Sequence, residues 1–108
     1  MTMKIFKLQP GQISHLISDR RGGLATDRIV VDGMPVGMMY RELPINPADS
    51  GWRFLAGDED DDYMSDASRH GIYALNTIAN YDRRVIEFLD MPVGSELVDD
   101  GSGDLVSQ

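Results

Sequence analysis

The pattern of apolar and polar positions divides this chain into short segments, none of them long enough to dominate the fold. Met3 to Leu8 reads as a short strand that Gln9-Pro10-Gly11 stops. From Gln12 to Ser18, Ile13, Leu16 and Ile17 recur at helical spacing around His15, and a buried two-turn helix or an irregular strand fits equally. Asp19 to Gly23 reads as a turn or loop. In Arg28 to Asp32, three β-branched residues in succession favour extended backbone. Asp32-Gly33 is then a hairpin turn signal, with Pro35 to Glu42 as the return strand. On that strand Val36, Met38 and Tyr40 share one face, and Gly37, Met39 and Arg41 the other.

Pro44, Asn46 and Pro47 form a stiff loop leading into Asp49-Ser50-Gly51. Trp52 to Ala56 reads as a third strand with Trp52 and Phe54 on one face. Gly57 ends it, and Asp58 caps a short acidic helix running to Met64. Acids in a first turn suit the positive end of the helix dipole, so part of this run has a structural reason. Ser68 to Gly71 is a turn and Ile72 to Leu75 a fourth strand. Asn76 to Leu89 is helical, with Asp82 as a cap between two apolar sets. Pro92 and Gly94 close the helix, and Glu96 to Val98 pairs with Asp104 to Val106. Hairpins early and a helix late predict one α+β domain over residues 1–108, an antiparallel sheet of four to six strands with one or two short helices, and a loose tail over about 99–108.

Composition narrows the function classes. Hydrophobic residues make up 42% of the chain, which supports a single core without staples. The chain has no Cys, which removes disulfides, thiolate metal sites and cysteine nucleophiles. No apolar run approaches a membrane span, and the N-terminal apolar stretch is too short for a secretory signal, so the expected compartment is the cytoplasm. The net charge of -8 repels nucleic acid and anionic membranes and draws basic partners.

Motifs for catalysis are missing. Counted from Asp58 as a calcium loop, the sixth residue is Tyr63 and the twelfth Arg69, where Gly and Glu belong. His15 and His70 stand in no ligand spacing: His15 reads as a partly buried structural residue and His70 as a surface turn. No nucleophile elbow, phosphate loop or dinucleotide fingerprint is present. The residues thus call for no catalytic group, no metal and no cofactor.

Three segments carry a specific resemblance: Val31 to Pro44, Asp49 to Met64 and Ile72 to Asp82. In that order they are similar to the immunity-protein-33-like family, bacterial proteins first described as a domain of unknown function and grouped with predicted toxin-immunity proteins. The resemblance spans roughly Asp19 to Val98, and the Asp-Ser-Gly-Trp and Gly-Asp-Glu pieces carry most of it. It implies a small α+β domain and a role in neutralising a toxin, with no catalytic residues to transfer. Asp49, Ser50, Gly51, Trp52, Gly57 and Tyr63 are its signature, by function or by architecture.

Three readings stand. In the first, Asp58, Glu59, Asp60, Asp61 and Asp62 form an acidic face that occludes a basic protein toxin. In the second, a regulatory domain holds a small molecule beside Trp52 and Tyr40. In the third, a hydrolase uses carboxylates paired in space.

Overall fold

The computed structural model describes residues 3–108. Its frame is a six-stranded sheet made of β1 (Gly22–Thr26), β2 (Met38–Arg41), β3 (Asp49–Leu55), β4 (His70–Ala74), β5 (Glu96–Asp99) and β6 (Leu105–Ser107). The spatial order is β4-β1-β3-β2-β5-β6. The α+β class holds, but the sheet is mixed: β1 runs parallel to β3, and every other neighbour is antiparallel.

That one parallel pair explains the largest departure from the sequence reading. Parallel neighbours need a long crossover, because the chain must return to the end it started from. The segment leaving β1 therefore comes off the sheet, and Asp27–Val30 is helix α1 rather than a strand. Lys4 pairs with Asp27 at 2.8 Å, Arg28 reaches Asp32 at 3.0 Å, and Ile29 and Val30 are buried. The local Arg28–Asp32 pair and the tertiary contacts of Asp27, Ile29 and Val30 outweigh the modest extended preference of β-branched residues. Gly33 does turn the chain at φ 77°, but it joins a helix to β2 and closes no hairpin. The partners of β2 are β3 and β5. Met38 and Tyr40 do share one face and Met39 and Arg41 the other, while Val36 precedes the strand and is buried.

Near the N-terminus, Met3 to Leu8 forms no strand and is anchored by Lys4 on Asp27, by the Lys7 N–H on the Val30 carbonyl and by the Leu8 N–H on the Tyr81 hydroxyl. Beyond a 3-10 turn over Pro10–Gln12, residues 13–18 are neither helix nor strand. Their backbone is satisfied by side chains instead. The Asn76 amide oxygen accepts from the Leu16 and Ile17 N–H groups, and that of Asn80 from Ser14. His15 is exposed, and β1 begins inside the stretch read as a loop.

The later elements follow the sequence more closely. Helix α2 covers Asp61–Ser65, helix α3 covers Leu75–Tyr81, and a 3-10 segment runs from Arg83 to Phe88. Asp82 caps that segment by accepting from the Arg84 N–H at 3.1 Å. Its carboxylate also accepts from the Val36 N–H at 2.9 Å and from the Arg84 guanidinium at 2.7 Å. Arg84 extends the clasp to Asp99 and to the Gly103 carbonyl, which fixes the β5–β6 turn. Within the C-terminal segment, Leu105–Ser107 is the edge strand β6, paired with β5.

Side chains from α1, α3 and the 3-10 segment fill one face of the sheet. Ile29, Ile78 and Val85 join Ala25, Met39, Trp52, Phe54 and Leu97 in one buried cluster.

Candidate functional site

Strand β3 begins with the Asp-Ser-Gly-Trp segment, and each residue there has an internal partner. Asp49 takes a two-pronged bond from Arg53, at 2.9 and 3.0 Å, and also accepts from the Gly51 and Ile45 N–H groups. The Arg53 guanidinium holds the Asp49 carboxyl well below the usual carboxylate range, against the opposing effect of burial. Arg53 is only 6% exposed and is completed by Glu42 at 3.0 Å. Ser50 donates to the Gly22 carbonyl at 2.6 Å, tying β3 to the start of β1. Gly51 sits at φ 89°, and an added Cβ would lie 2.1 Å from the Glu42 carbonyl oxygen. Only glycine fits there.

Trp52 has no exposed surface; its indole N–H donates to the Leu89 carbonyl at 2.9 Å. The Arg41 guanidinium stands 5.7 Å from the ring centroid and donates to the Ser50 and Met91 carbonyls. Tyr40 pairs with Arg53, while Trp52 pairs with Arg41, so the two aromatics lie on opposite sides of the sheet. They line no common pocket, which removes the small-molecule site expected between them. An apolar cavity of about 280 Å³ lies elsewhere, and its walls include Phe6, Leu8, Tyr73 and Tyr81.

The acidic run divides in the fold. Asp58 pairs with Arg28 at 2.6 Å, and this partner lowers its carboxyl below the ordinary range. Glu59 accepts from the Thr26 hydroxyl at 2.6 Å and from the Ala56 and Gly57 N–H groups at 2.8 Å each. Those bonds clasp the turn at Gly57, whose φ of 103° suits glycine. The helix cap is Asp60 rather than Asp58, accepting from the Tyr63 N–H at 2.8 Å. Asp60, the third acid of the run, stands directly before the first helical turn, where free N–H groups need an acceptor. Asp61 and Asp62 are exposed and have no ion-pair partner among the described residues. Tyr63 faces Arg69 at 5.2 Å, and burial pushes its hydroxyl up. His70 opens β4, half-buried, with its Nε2 3.3 Å from the Met64 carbonyl. Among the described residues no three acidic or histidine side chains converge to hold a metal ion, and no helix is long and apolar enough to cross a membrane.

The sequence places Arg41 and Arg53 on strand faces near carboxylates as holders of the loop from Pro44 to Ser50; Arg53 does bond Asp49 and Glu42, whereas Arg41 donates to backbone carbonyls. Sequence reasoning passed over Arg84 as an organiser. Its signal was the Asp82-x-Arg84 spacing, which lets one carboxylate accept from both backbone and guanidinium.

Comparison with known proteins gives one match. No curated protein and no solved structure matches the chain. The family model of the Immunity protein Imm33 domain matches residues 24–108, which include every strand but β1's first two residues and all of the segment from Asp49 to Met64. By that match over most of its length, the chain belongs to the Imm33 immunity-protein family.

Proposed function

We propose that this protein neutralises a cognate toxin by binding it, without catalysing a reaction, and that the toxin presents a basic surface. Membership of the Imm33 family supports the toxin as partner. The observation that carries the basic character is how the charges are paired. Of ten Lys and Arg residues, Lys4, Arg21, Arg28, Arg53, Arg69 and Arg84 are already held by carboxylates of the same chain. Asp61 and Asp62 are left facing solvent at the α2 corner, and Asp62 stands with Asp60, Asp66 and Arg69, whose charge Asp66 already meets. Such a corner steers a cationic partner by long-range attraction that salt screens.

A carboxylate acid-base mechanism finds no comparable support. Where a carboxyl departs from its ordinary proton affinity, as at Asp19, Asp49, Asp58, Asp66, Asp99 and Asp100, the shift is downward, which suits a fixed anion and not a proton donor near neutrality.

A pull-down from the native cell at low and moderate salt tests the reading. A basic protein captured at low salt and released as salt rises is the expected result. The triple variant Asp60→Asn, Asp61→Asn, Asp62→Asn keeps a competent helix cap, since Asn caps as well as Asp. It should slow association and flatten its salt dependence. Unchanged association at every salt concentration would remove the acidic corner from the mechanism.

A further inference from the structure

The sheet has a second face. Strand register places Leu24 opposite Ile72 and Arg53, Met38 opposite Leu55 and Val98, and Tyr40 opposite Arg53 and Glu96. Leu24, Met38, Tyr40, Leu55, Ile72 and Val98 therefore stand on the side away from Trp52 and Phe54. None of them belongs to the buried cluster or packs against it. Ile72 is 62% exposed, and Val106, opposite Val98 on β6, is 38% exposed. All six strands thus contribute an apolar or aromatic side chain to a face that, among the described residues, no helix covers. An antiparallel sheet with one solvated face ordinarily alternates apolar inside with polar outside. Between Ile72 and Val106, the side chains of Leu24, Met38, Tyr40, Leu55 and Val98 are partly exposed, and contiguous apolar surface left open to solvent marks an interaction site in a folded protein.

Charge decides what the face accepts. Its one Arg or Lys among these strands is Arg53, nearly buried and already bonded to Asp49 and Glu42. Glu42 and Glu96 are exposed beside it, and Glu96 has no ion-pair partner among the described residues. Glu59 lies at the Thr26 end, with His70 opposite Thr26, and the neighbouring cations Arg28 and Arg69 are already paired with Asp58 and Asp66. The accessible rim is therefore negative. A second copy would set acid against acid, and a phosphate backbone or anionic membrane would be repelled. A protein surface with an apolar centre ringed by Lys and Arg is complementary. At the Arg53 end, the loop before β3 is held by the Asp49 carboxylate through the Ile45 N–H, and it presents Leu43 and Ile45, each 78% exposed. That loop is fixed before any partner arrives, which lowers the ordering cost of binding.

We infer that the uncovered sheet face is the docking surface for a basic protein, its apolar strip at the centre and Glu42 and Glu96 at the rim. The inference rests on the toxin-binding reading and names the surface that does the binding. The acidic α2 corner then steers approach, and the sheet face sets residence time.

The test uses the full chain, labelled with nitrogen-15, and a short synthetic amphipathic helix of Leu and Lys, with a Leu and Glu helix of the same pattern as control. The Lys peptide should shift the amide signals of Leu24, Tyr40, Leu55, Ile72 and Val98, and the Glu peptide should not. The double variant Ile72→Ser, Val106→Ser alters only solvent-exposed side chains, so it should keep the parent's melting curve. It should weaken peptide binding, and binding of any toxin captured in the pull-down, by about tenfold. Shifts confined to Asp58–Asp62 or to the cavity beside Tyr73, or no binding at all, would overturn the inference. So would a self-associated dimer that the double variant disperses. A captured toxin that binds the double variant as tightly as the parent overturns the surface and leaves the proposed function standing. A pull-down with no toxin, alongside peptide shifts on the face, retains the surface and removes the function.

Discussion

On one face of the sheet Trp52, Phe54, Met39 and Leu97 are sealed against α1, α3 and the 3-10 segment; on the other, Leu24, Leu55, Met38 and Val98 are side chains of the same chemical kind left half-exposed. The strands alternate between these faces residue by residue, so composition does not distinguish them. What differs is the polar anchoring. The core face holds its tryptophan by an indole bond to the Leu89 carbonyl and a guanidinium over the ring. On the open face the charged pair Asp49–Arg53 is buried at one end, and the rest is left for something else to cover. Burial is thus a property of what lies above a side chain, and an apolar face without a lid is a surface with a purpose to be assigned.

That contrast can be broken by substitution. The largest effect is expected for Trp52→Ala, which empties the core and leaves the Leu89 carbonyl without its donor: a loss of about 4 kcal/mol in unfolding free energy, read by chemical denaturation. Next comes Arg53→Met, which leaves Asp49 as a buried carboxylate with its guanidinium removed and should cost about 3 kcal/mol near neutral pH. Here the pH dependence sharpens the comparison. The Asp49 carboxyl is depressed in the folded protein, so its contribution is complete above the unfolded value near 4 and is lost as pH falls towards the folded value. Without Arg53 that carboxyl prefers its proton when folded, so the gap between parent and variant should narrow below about pH 4. A gap that stays constant through that range would mean that the pair contributes packing and not charge.

A smaller loss, about 1 kcal/mol, is expected for Glu59→Gln, which keeps one acceptor but weakens the clasp on Thr26, Ala56 and Gly57. Hydrogen exchange at the Gly57 amide should rise with it. The smallest effect belongs to the open face: Ile72→Ser should change stability by no more than about 0.5 kcal/mol. A loss comparable to that of Trp52→Ala would show that this face is sealed in solution.

The site was only partly legible from the residues. Asp49, Gly51 and Trp52 stand out in the sequence, and the structure gives each of them an architectural duty: a buried ion pair, a positive-φ turn against the Glu42 carbonyl, a core indole. The acidic run stands out too, yet its first three members act within the fold and its last two face solvent. A run of like charge does not say which of its members have neighbours across the chain.

By itself the sequence determined the strand through Trp52 and Phe54, the cap at Asp82, the pairing of the two C-terminal strands and the resemblance to immunity proteins. These are local or near-local signals: alternation, a capping side chain, a short return. Tertiary structure alone decided that Asp27–Val30 is a helix, that β1 lies parallel to β3, and that Leu24, Tyr40, Ile72 and Val98 gather on one uncovered face. A short β-branched run sits near the balance between helix and strand, and contacts such as Lys4 to Asp27 tip it from far away in the chain. A face made of six strands exists only once their order is set, and that order depends on pairings between residues dozens of positions apart.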